Sequence, residues 1–169
     1  MTLVLDTRIW PLTTKLASCL CAELAASGGP EPCFCGVLAG DSVAYDYCSP
    51  CQGDQCGMAW VRLASIIPMP SNTANSGLTL PGRCAPALVG IFEVGVLRCA
   101  PTLTEDGQLP DMAVQLAAAE LQASDMAAAG RAAACCFTDG RIVTVGEWSP
   151  AGPIGGCLGG SWSVSVGEF

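Results

Sequence analysis

Two stretches of the chain place apolar residues at the spacing of an α-helix. The first begins at Trp10-Pro11, where proline is tolerated because the first N–H groups of a helix have no partner within it. Its apolar residues recur every fourth position up to the glycines at 28 and 29: Leu12, Leu16, Leu20 and Leu24. The second begins at Pro110 and runs through alanine-rich sequence to about Cys136. Within this second helix, one face is expected to pack closely against a sheet: Leu116, Ala119 and Ala123.

Two strands are predicted in the middle of the chain. Residues 58–67 have mixed polarity, with Trp60 and Ile66 expected on one side and Val61 and Leu63 on the other. Prolines at 68 and 70 end this strand. Residues 87–99 form an apolar run in which the charged side chains are Glu93 and Arg98, so both faces of this strand should be covered.

Two more strands are predicted towards the end of the chain. Residues 141–148 form one of them. In residues 161–166, Trp162, Val164 and Val166 alternate with three serines, which is typical of a half-buried strand. A shorter candidate strand covers residues 43–47.

The order of these elements predicts one α+β domain over residues 1–169. Short links near the end favour a mainly antiparallel sheet of about four strands, with the two helices packed on one face. Residues 33–57 form a cysteine-rich loop inserted after the first helix. Residues 69–86 form a long polar loop, which is either a plain surface loop or an arm that reaches beyond the domain, and we favour the arm.

Composition argues against an enzyme. The chain contains no histidine, which removes Ser-His-Asp and Cys-His catalysis and the commonest general base. No phosphate-binding glycine loop follows a strand, and the carboxylates are scattered. A net charge of −8 disfavours a surface that grips phosphate, although a negative wall suits a channel through which DNA passes.

The apolar content favours association with neighbouring subunits, and no segment is expected to span a membrane. Apolar residues make up 51% of the chain and charged residues 13%, so part of the apolar surface is expected to be covered by neighbouring subunits. The apolar run near the middle is too short to span a bilayer. The lipobox-like residues 16–19 follow Lys15 and lack a signal-peptide pattern, so we expect a chain made and assembled in a cytoplasm.

Five of the twelve cysteines lie within 24 positions, in loop-like sequence. This cluster is the candidate site of the chain: Cys33, Cys35, Cys48, Cys51 and Cys56. Four thiolates can hold a structural zinc ion, although one half of the cluster is Cys-x-Cys instead of the usual wider spacing. Disulfides are the competing interpretation and reduced thiols the third. The other cysteines are expected to be small core residues, and Cys99 and Cys157 could meet across strands.

Other residues have structural interpretations. Three tryptophans are expected to anchor the core, with Trp148 also a candidate for an interface: Trp60, Trp148 and Trp162. Arg62 and Arg98 are expected to face solvent or to pair with acids such as Glu93 or Glu147. An acid from a neighbouring subunit would fix the register of a ring.

Several segments, in their order and spacing, resemble head-to-tail connector proteins of tailed actinobacterial phages of the siphovirus type. They are residues 56–63, residues 88–101, the alanine-rich helix and residues 148–162, which read WSPAGPIGGCLGGSW. The layout is similar to that of tail terminators. This resemblance implies a structural protein at the head-tail junction of the virion, forming a ring, hexameric by expectation. The ring would cap the tail tube, dock to the head-side connector and let DNA pass through its lumen.

Two alternatives remain open from the sequence. One is another neck or minor tail protein of the same particle. The other, from a different class, is a cytoplasmic binding or regulatory module held together by a structural zinc ion. The resemblance supplies no catalytic residues and no bound cofactor.

Overall fold

The computed structural model describes residues 6–43, 56–68, 88–103 and 106–167. Within them the chain forms α1 (Trp10–Ala26), β1 (Phe34–Val37), β2 (Met58–Pro68), β3 (Leu88–Cys99), α2 (Met112–Cys135), β4 (Val143–Ile154) and β5 (Cys157–Gly167). Most of the predicted strand 43–47, the predicted arm 69–86, Cys48 and Cys51 lie outside the described residues.

The strands form one five-stranded sheet in the order β1-β2-β3-β5-β4. β1 pairs with β2 in parallel, and the other three neighbouring pairs are antiparallel. The predicted α+β class is therefore confirmed, with one strand more than expected. The additional strand, β1, is four residues long and shows no apolar alternation, so its sequence did not distinguish it from a loop.

The main core lies between one face of the sheet and both helices. The four leucines of α1 are buried as predicted, and Val164 and Val166 of β5 are fully buried against them. On the opposite face, a smaller cluster forms around Trp60, with Met58, Leu97 and Cys157. The helices thus cover one face, and the segment after β1 contributes Leu38 and Val43 to the other.

The prediction of which β2 side chains share a side of the sheet was wrong for Ile66, because β2 contains a β-bulge. The register against β3 shifts between Leu63 and Ser65, so one extra residue stands in β2 at this point. Ile66 therefore lies on the same side as Leu63, beside α1, and not on the side of Trp60. Strict alternation could not predict this change of phase.

The predicted face of α2 was also wrong. Leu116, Ala119 and Ala123 are exposed, and a different stripe of the helix is buried: Asp125, Ala128, Ala129, Ala132 and Ala133. Alanine is small enough to let the backbone of the helix approach the sheet closely. Asp125 is buried because it binds Arg98 of β3 through two hydrogen bonds of 2.7 and 3.0 Å. This pair replaces the partners predicted for Arg98.

Disulfides connect the elements to one another. Cys19 of α1 bonds to Cys136 at the end of α2, Cys21 of α1 bonds to Cys35 of β1, and Cys56 bonds to Cys99 of β3. Cys33 and Cys157 are disulfide-bonded as well. Of the cysteines outside the cluster, Cys136 and Cys157 are buried in the core as expected. Both are also disulfide-bonded, as are Cys19, Cys21 and Cys99. Cys99 and Cys157 lie opposite each other in the sheet, an arrangement that the sequence allowed but did not decide.

Candidate functional site

Of the predicted cysteine cluster, the structure describes Cys33, Cys35 and Cys56, and all three are disulfide-bonded. Cys35 bonds to α1 and Cys56 to β3, so their partners come from outside the segment 33–57. A sulfur atom in a disulfide is not a thiolate and cannot serve as a zinc ligand of the usual kind. Among the residues that the structure describes, no three His, Cys, Asp or Glu side chains are grouped around a common point for a metal ion. The cluster residues that the structure places are structural crosslinks.

On the helix-free face of the sheet, Arg62 and Glu93 form an ion pair between β2 and β3. One of the acids predicted as a partner for Arg62 is thus confirmed, within the same subunit. Trp60 lies beside this pair, and its ring covers Gly95, where any side chain would collide with the indole. A cavity of about 190 Å³ adjoins these residues, and the buried indole Nε1 of Trp60 has no hydrogen-bond partner among the described residues. A cavity of this size and polarity has room for ordered water.

A larger apolar concavity lies where α1 begins. It has a volume of about 390 Å³, and we call it the α1 groove. Its wall comes from the start of α1, the segment after β1 and the far end of β2: Asp6, Ile9, Trp10, Thr13, Val37, Leu38, Ala39, Gly40, Leu63 and Ile66. Trp10 and Ile66 are 41% and 44% exposed, so apolar surface remains open to solvent here.

A second apolar surface runs along the exposed side of α2, and we call it the α2 stripe. Its members are separated by three, four, three and four residues: Leu109, Met112, Leu116, Ala119 and Ala123. Leu109 and Met112 are 77% and 81% exposed, and Leu116 is 59% exposed. Leu109 precedes α2, and the spacing of the other four residues puts them on one side of the helix, the pattern by which a helix contacts a partner. A shallow hollow of about 310 Å³ between α2 and the β4–β5 hairpin adjoins the stripe.

The two surfaces lie at opposite ends of the molecule because α1 and α2 are antiparallel. The start of α1 meets the end of α2 at the hydrogen bond from the Cys136 thiol to the Lys15 carbonyl, 3.4 Å long. The end of α1 meets the earlier part of α2, where Leu121 lies against Gly29. The α1 groove is therefore near the last turn of α2, and the α2 stripe begins at the other end.

Charge is distributed unevenly between these two ends. Near the α2 stripe the described residues from 103 to 123 include three acids and no base: Asp106, Asp111 and Glu120. The end that carries the α1 groove has three bases and three acids: Arg8, Lys15, Arg141, Asp6, Asp41 and Asp139. One end is therefore negative, and the charges at the other end balance.

Sequence reasoning missed both surfaces for different reasons. The heptad-like spacing of the α2 stripe is visible in the sequence, but it was assigned to the core because an apolar face is usually buried by its own domain. The α1 groove combines three elements that are far apart in the chain, so no local signal marks it. Trp148, expected as a core anchor and as an interface candidate, contacts Trp162 with a ring-centroid distance of 5.6 Å.

Comparison with models of known protein families gave no match, and a search of curated proteins gave none either. In the part of the chain that the structure describes, neither helix has the length and apolarity needed to cross a bilayer.

Proposed function

We propose that this chain is a structural virion protein that forms a closed ring, hexameric by expectation, at the head-tail junction of a tailed phage. In this role it caps the tail tube and docks to the head-side connector. The proposal rests on the resemblance to connector proteins in residues 56–63, 88–101 and 148–162 and in the alanine-rich helix. Within that class, the layout favours the tail terminator over another neck or minor tail protein.

The observation that carries the proposal is the pair of uncovered apolar surfaces at unlike ends of the subunit. Soluble monomers rarely expose large contiguous apolar patches, and patches of this kind mark interaction sites. When two different surfaces of one chain bind each other, subunits associate head to tail, and a suitable rotation closes them into a ring. A charged fraction of only 13% is consistent with a subunit that is largely surrounded by others.

A non-enzymatic role follows from the sequence, which has no histidine and no recognised catalytic motif. The net charge of −8 is compatible with a lumen along which DNA moves without binding. DNA is therefore proposed as cargo passing through the ring.

The disulfides are consistent with a protein that functions in a particle released from the cell. Disulfides persist in oxidising surroundings and are rare in a reducing cytoplasm. We propose that the chain assembles in the host cytoplasm with reduced thiols and that the crosslinks close once the particle is released. The same crosslinks, at Cys35 and Cys56, count against the cytoplasmic zinc module.

Electron microscopy tests this function directly. The purified chain would be imaged by negative stain, alone and after addition of isolated tails, and the neck of the intact particle would be reconstructed. The proposal expects closed rings that bind one end of the tail tube and density for this fold at the neck. A monomer that leaves tails unbound, or a neck without this fold, would refute it.

A further inference from the structure

We propose that residues 33–43, which we call the strap, are a redox-sensitive cover held against the sheet by the disulfide between Cys21 and Cys35. With this bond intact, the strap pairs with β2 and packs on the cluster around Trp60. When the bond is reduced, the strap detaches from β2 while the rest of the fold stays in place. This device goes beyond the proposed function and does not depend on a ring.

The backbone of the strap is joined to the sheet along one short strand. β1 supplies four residues and pairs with β2 in parallel, which is slightly less stable per residue than antiparallel pairing. Before β1, the N–H of Cys33 donates a 2.9 Å hydrogen bond to the Gly57 carbonyl. After β1, the N–H of Leu38 donates a 3.0 Å hydrogen bond to the Val61 carbonyl. Gly36 lies inside β1, where a glycine weakens a strand.

The side chains of the strap are only partly buried. No residue from 33 to 43 is fully buried, and those from 39 to 42 are exposed. Arg62 of β2 adds a long hydrogen bond of 3.5 Å to the Gly40 carbonyl. Four apolar side chains pack partly against the two cores: Phe34, Val37, Leu38 and Val43. Ordering each residue costs conformational entropy, so a segment with few buried apolar contacts opens more readily than the core.

The disulfide between Cys21 and Cys35 supplies the attachment that these contacts lack. Cys21 belongs to α1, whose leucines are buried in the main core, so the bond ties β1 to a firmly packed helix. To reduce the bond, a dithiol reductant delivers two electrons and two protons, leaves two thiols on the chain and becomes a disulfide itself. Cys33 is disulfide-bonded as well, so loss of the bond at Cys35 alone frees the strap from residue 35 onward.

Detachment of the strap uncovers both an edge and a face of the sheet. Residues 58–61 of β2 are at most 2% exposed when the strap is closed. Leu38 and Val43 of the strap pack on the cluster around Trp60, so their departure opens the helix-free face at this point. The edge of the sheet moves from the four residues of β1 to the eleven of β2. An open strand edge offers N–H and C=O groups with which another chain can pair.

Hydrogen exchange in the folded full chain, without reductant, tests the device. Cys21→Ala/Cys35→Ala removes the bond of the strap, and the matched control Cys19→Ala/Cys136→Ala removes the other disulfide that the structure places on α1. The readout is the ratio of amide exchange in residues 34–43 to amide exchange in β3 and β5. The ratio should rise roughly tenfold or more in the strap variant, as expected for the loss of a crosslink, and should stay unchanged in the control.

Titration of the unaltered chain with a dithiol reductant provides a second measurement. Exchange in residues 34–43 should rise before exchange in β3 and β5 does, and reoxidation should reverse the rise. A simultaneous rise in all three segments would overturn the proposal, because the strap would then not open by itself.

Three results with the variants would also overturn it. One is an unchanged ratio in Cys21→Ala/Cys35→Ala. Another is an equal rise in Cys19→Ala/Cys136→Ala, which would reflect general destabilisation. The third is a strap variant that unfolds as a whole, since the bond would then support the entire fold. None of these measurements involves assembly, so their failure leaves the ring proposal standing, and a chain that forms no ring leaves the strap standing.

Discussion

Trp162 shows how a single side chain links the sheet to a helix. Its indole Nε1 donates a 3.0 Å hydrogen bond to the Met126 carbonyl of α2, and its ring contacts Trp148 of β4. Gly130 of α2 lies directly against the indole, which leaves room for the ring to fit between β5 and the helix. The neighbouring Ser163 faces away from the helices and is exposed.

We predict that Trp162→Ala lowers the free energy of unfolding by about 3 kcal/mol, because a large, partly buried ring is lost from the core. Trp162→Phe should cost about 1 kcal/mol, chiefly the hydrogen bond to Met126. Ser163→Ala is the control and should change stability by no more than about 0.5 kcal/mol. Denaturant unfolding measures all three, and equal shifts for Trp162→Ala and Ser163→Ala would contradict the assigned phase of β5.

The ion pair between Arg98 and Asp125 is a second side-chain contact that connects elements of the fold. The two side chains are only 6% and 3% exposed, and Arg98 also donates a 2.7 Å hydrogen bond to the Pro30 carbonyl. One guanidinium therefore connects β3, α2 and the turn after α1. The pair explains why α2 buries the face that contains an aspartate.

Asp125→Asn should destabilise the protein by about 3–5 kcal/mol, because it removes the negative charge that Asp125 supplies to a buried guanidinium. The companion variant Arg98→Met should have a similar cost. The double variant Arg98→Met/Asp125→Asn should be destabilised by less than the sum of the two single effects, since neither charge is then buried alone. Strict additivity in this double-mutant cycle would contradict a coupled pair.

Among the elements, α1 is held by contacts at its start and by two disulfides along its length. At its start, hydrogen bonds from the backbone N–H groups of Trp10 and Ile9 lower the pKa of the Asp6 carboxyl below its usual value. Further along, Cys19 and Cys21 tie the helix to α2 and to β1. A carboxylate at this position satisfies N–H groups that the helix itself leaves without acceptors and complements its dipole.

The lowered pKa of Asp6 predicts a pH-dependent contribution to stability. Because the folded state favours the carboxylate, the contribution is present above the unfolded pKa, about 3.9, and is lost as the pH falls through the lower folded pKa. The destabilisation caused by Asp6→Ala should therefore be constant near neutral pH and shrink in acid. Asp6→Asn keeps an acceptor but does not titrate, so it should be milder near neutral pH. A penalty for Asp6→Ala that persists unchanged in strong acid would contradict this origin.

At the scale of the whole molecule, the disulfides link segments that are distant in sequence. The bond between Cys19 and Cys136 spans 117 residues, and the bond between Cys56 and Cys99 spans 43. Crosslinks across long loops restrict the unfolded chain strongly, with a typical gain of about 2–4 kcal/mol each. Together with the bond between Cys21 and Cys35, they tie both helices and the sheet into one cooperative unit.

Reductant should therefore lower the melting temperature substantially, whereas a strong chelator should not. Replacing both Cys21 and Cys35 by serine should cost about 2–4 kcal/mol. Cys135→Ser is the matched control, because this thiol is exposed and free, and it should leave stability unchanged. A melting temperature that falls with chelator, together with nearly one zinc per chain by elemental analysis, would instead support the zinc interpretation of the cysteine cluster.

The elements with strong hydrophobic periodicity were predictable, because this signal lies within each element's own sequence. The leucines of α1 and the alternation around Trp162 fix which side of each element is buried, because burying the other side would place polar groups in the core. The class of fold followed from the order of these elements. The bulge at Ala64 and the strand β1 were not predictable in this way, since each depends on pairing with a distant strand.

The sequence by itself determined the two helices and four of the five strands. It also contained the spacing of the α2 stripe. Only the tertiary structure decided that this stripe faces outward, because the buried pair of Arg98 and Asp125 selects the opposite side of an alanine-rich helix that could have packed either way. It likewise decided which cysteines bond, since pairing depends on proximity in space and not on spacing along the chain.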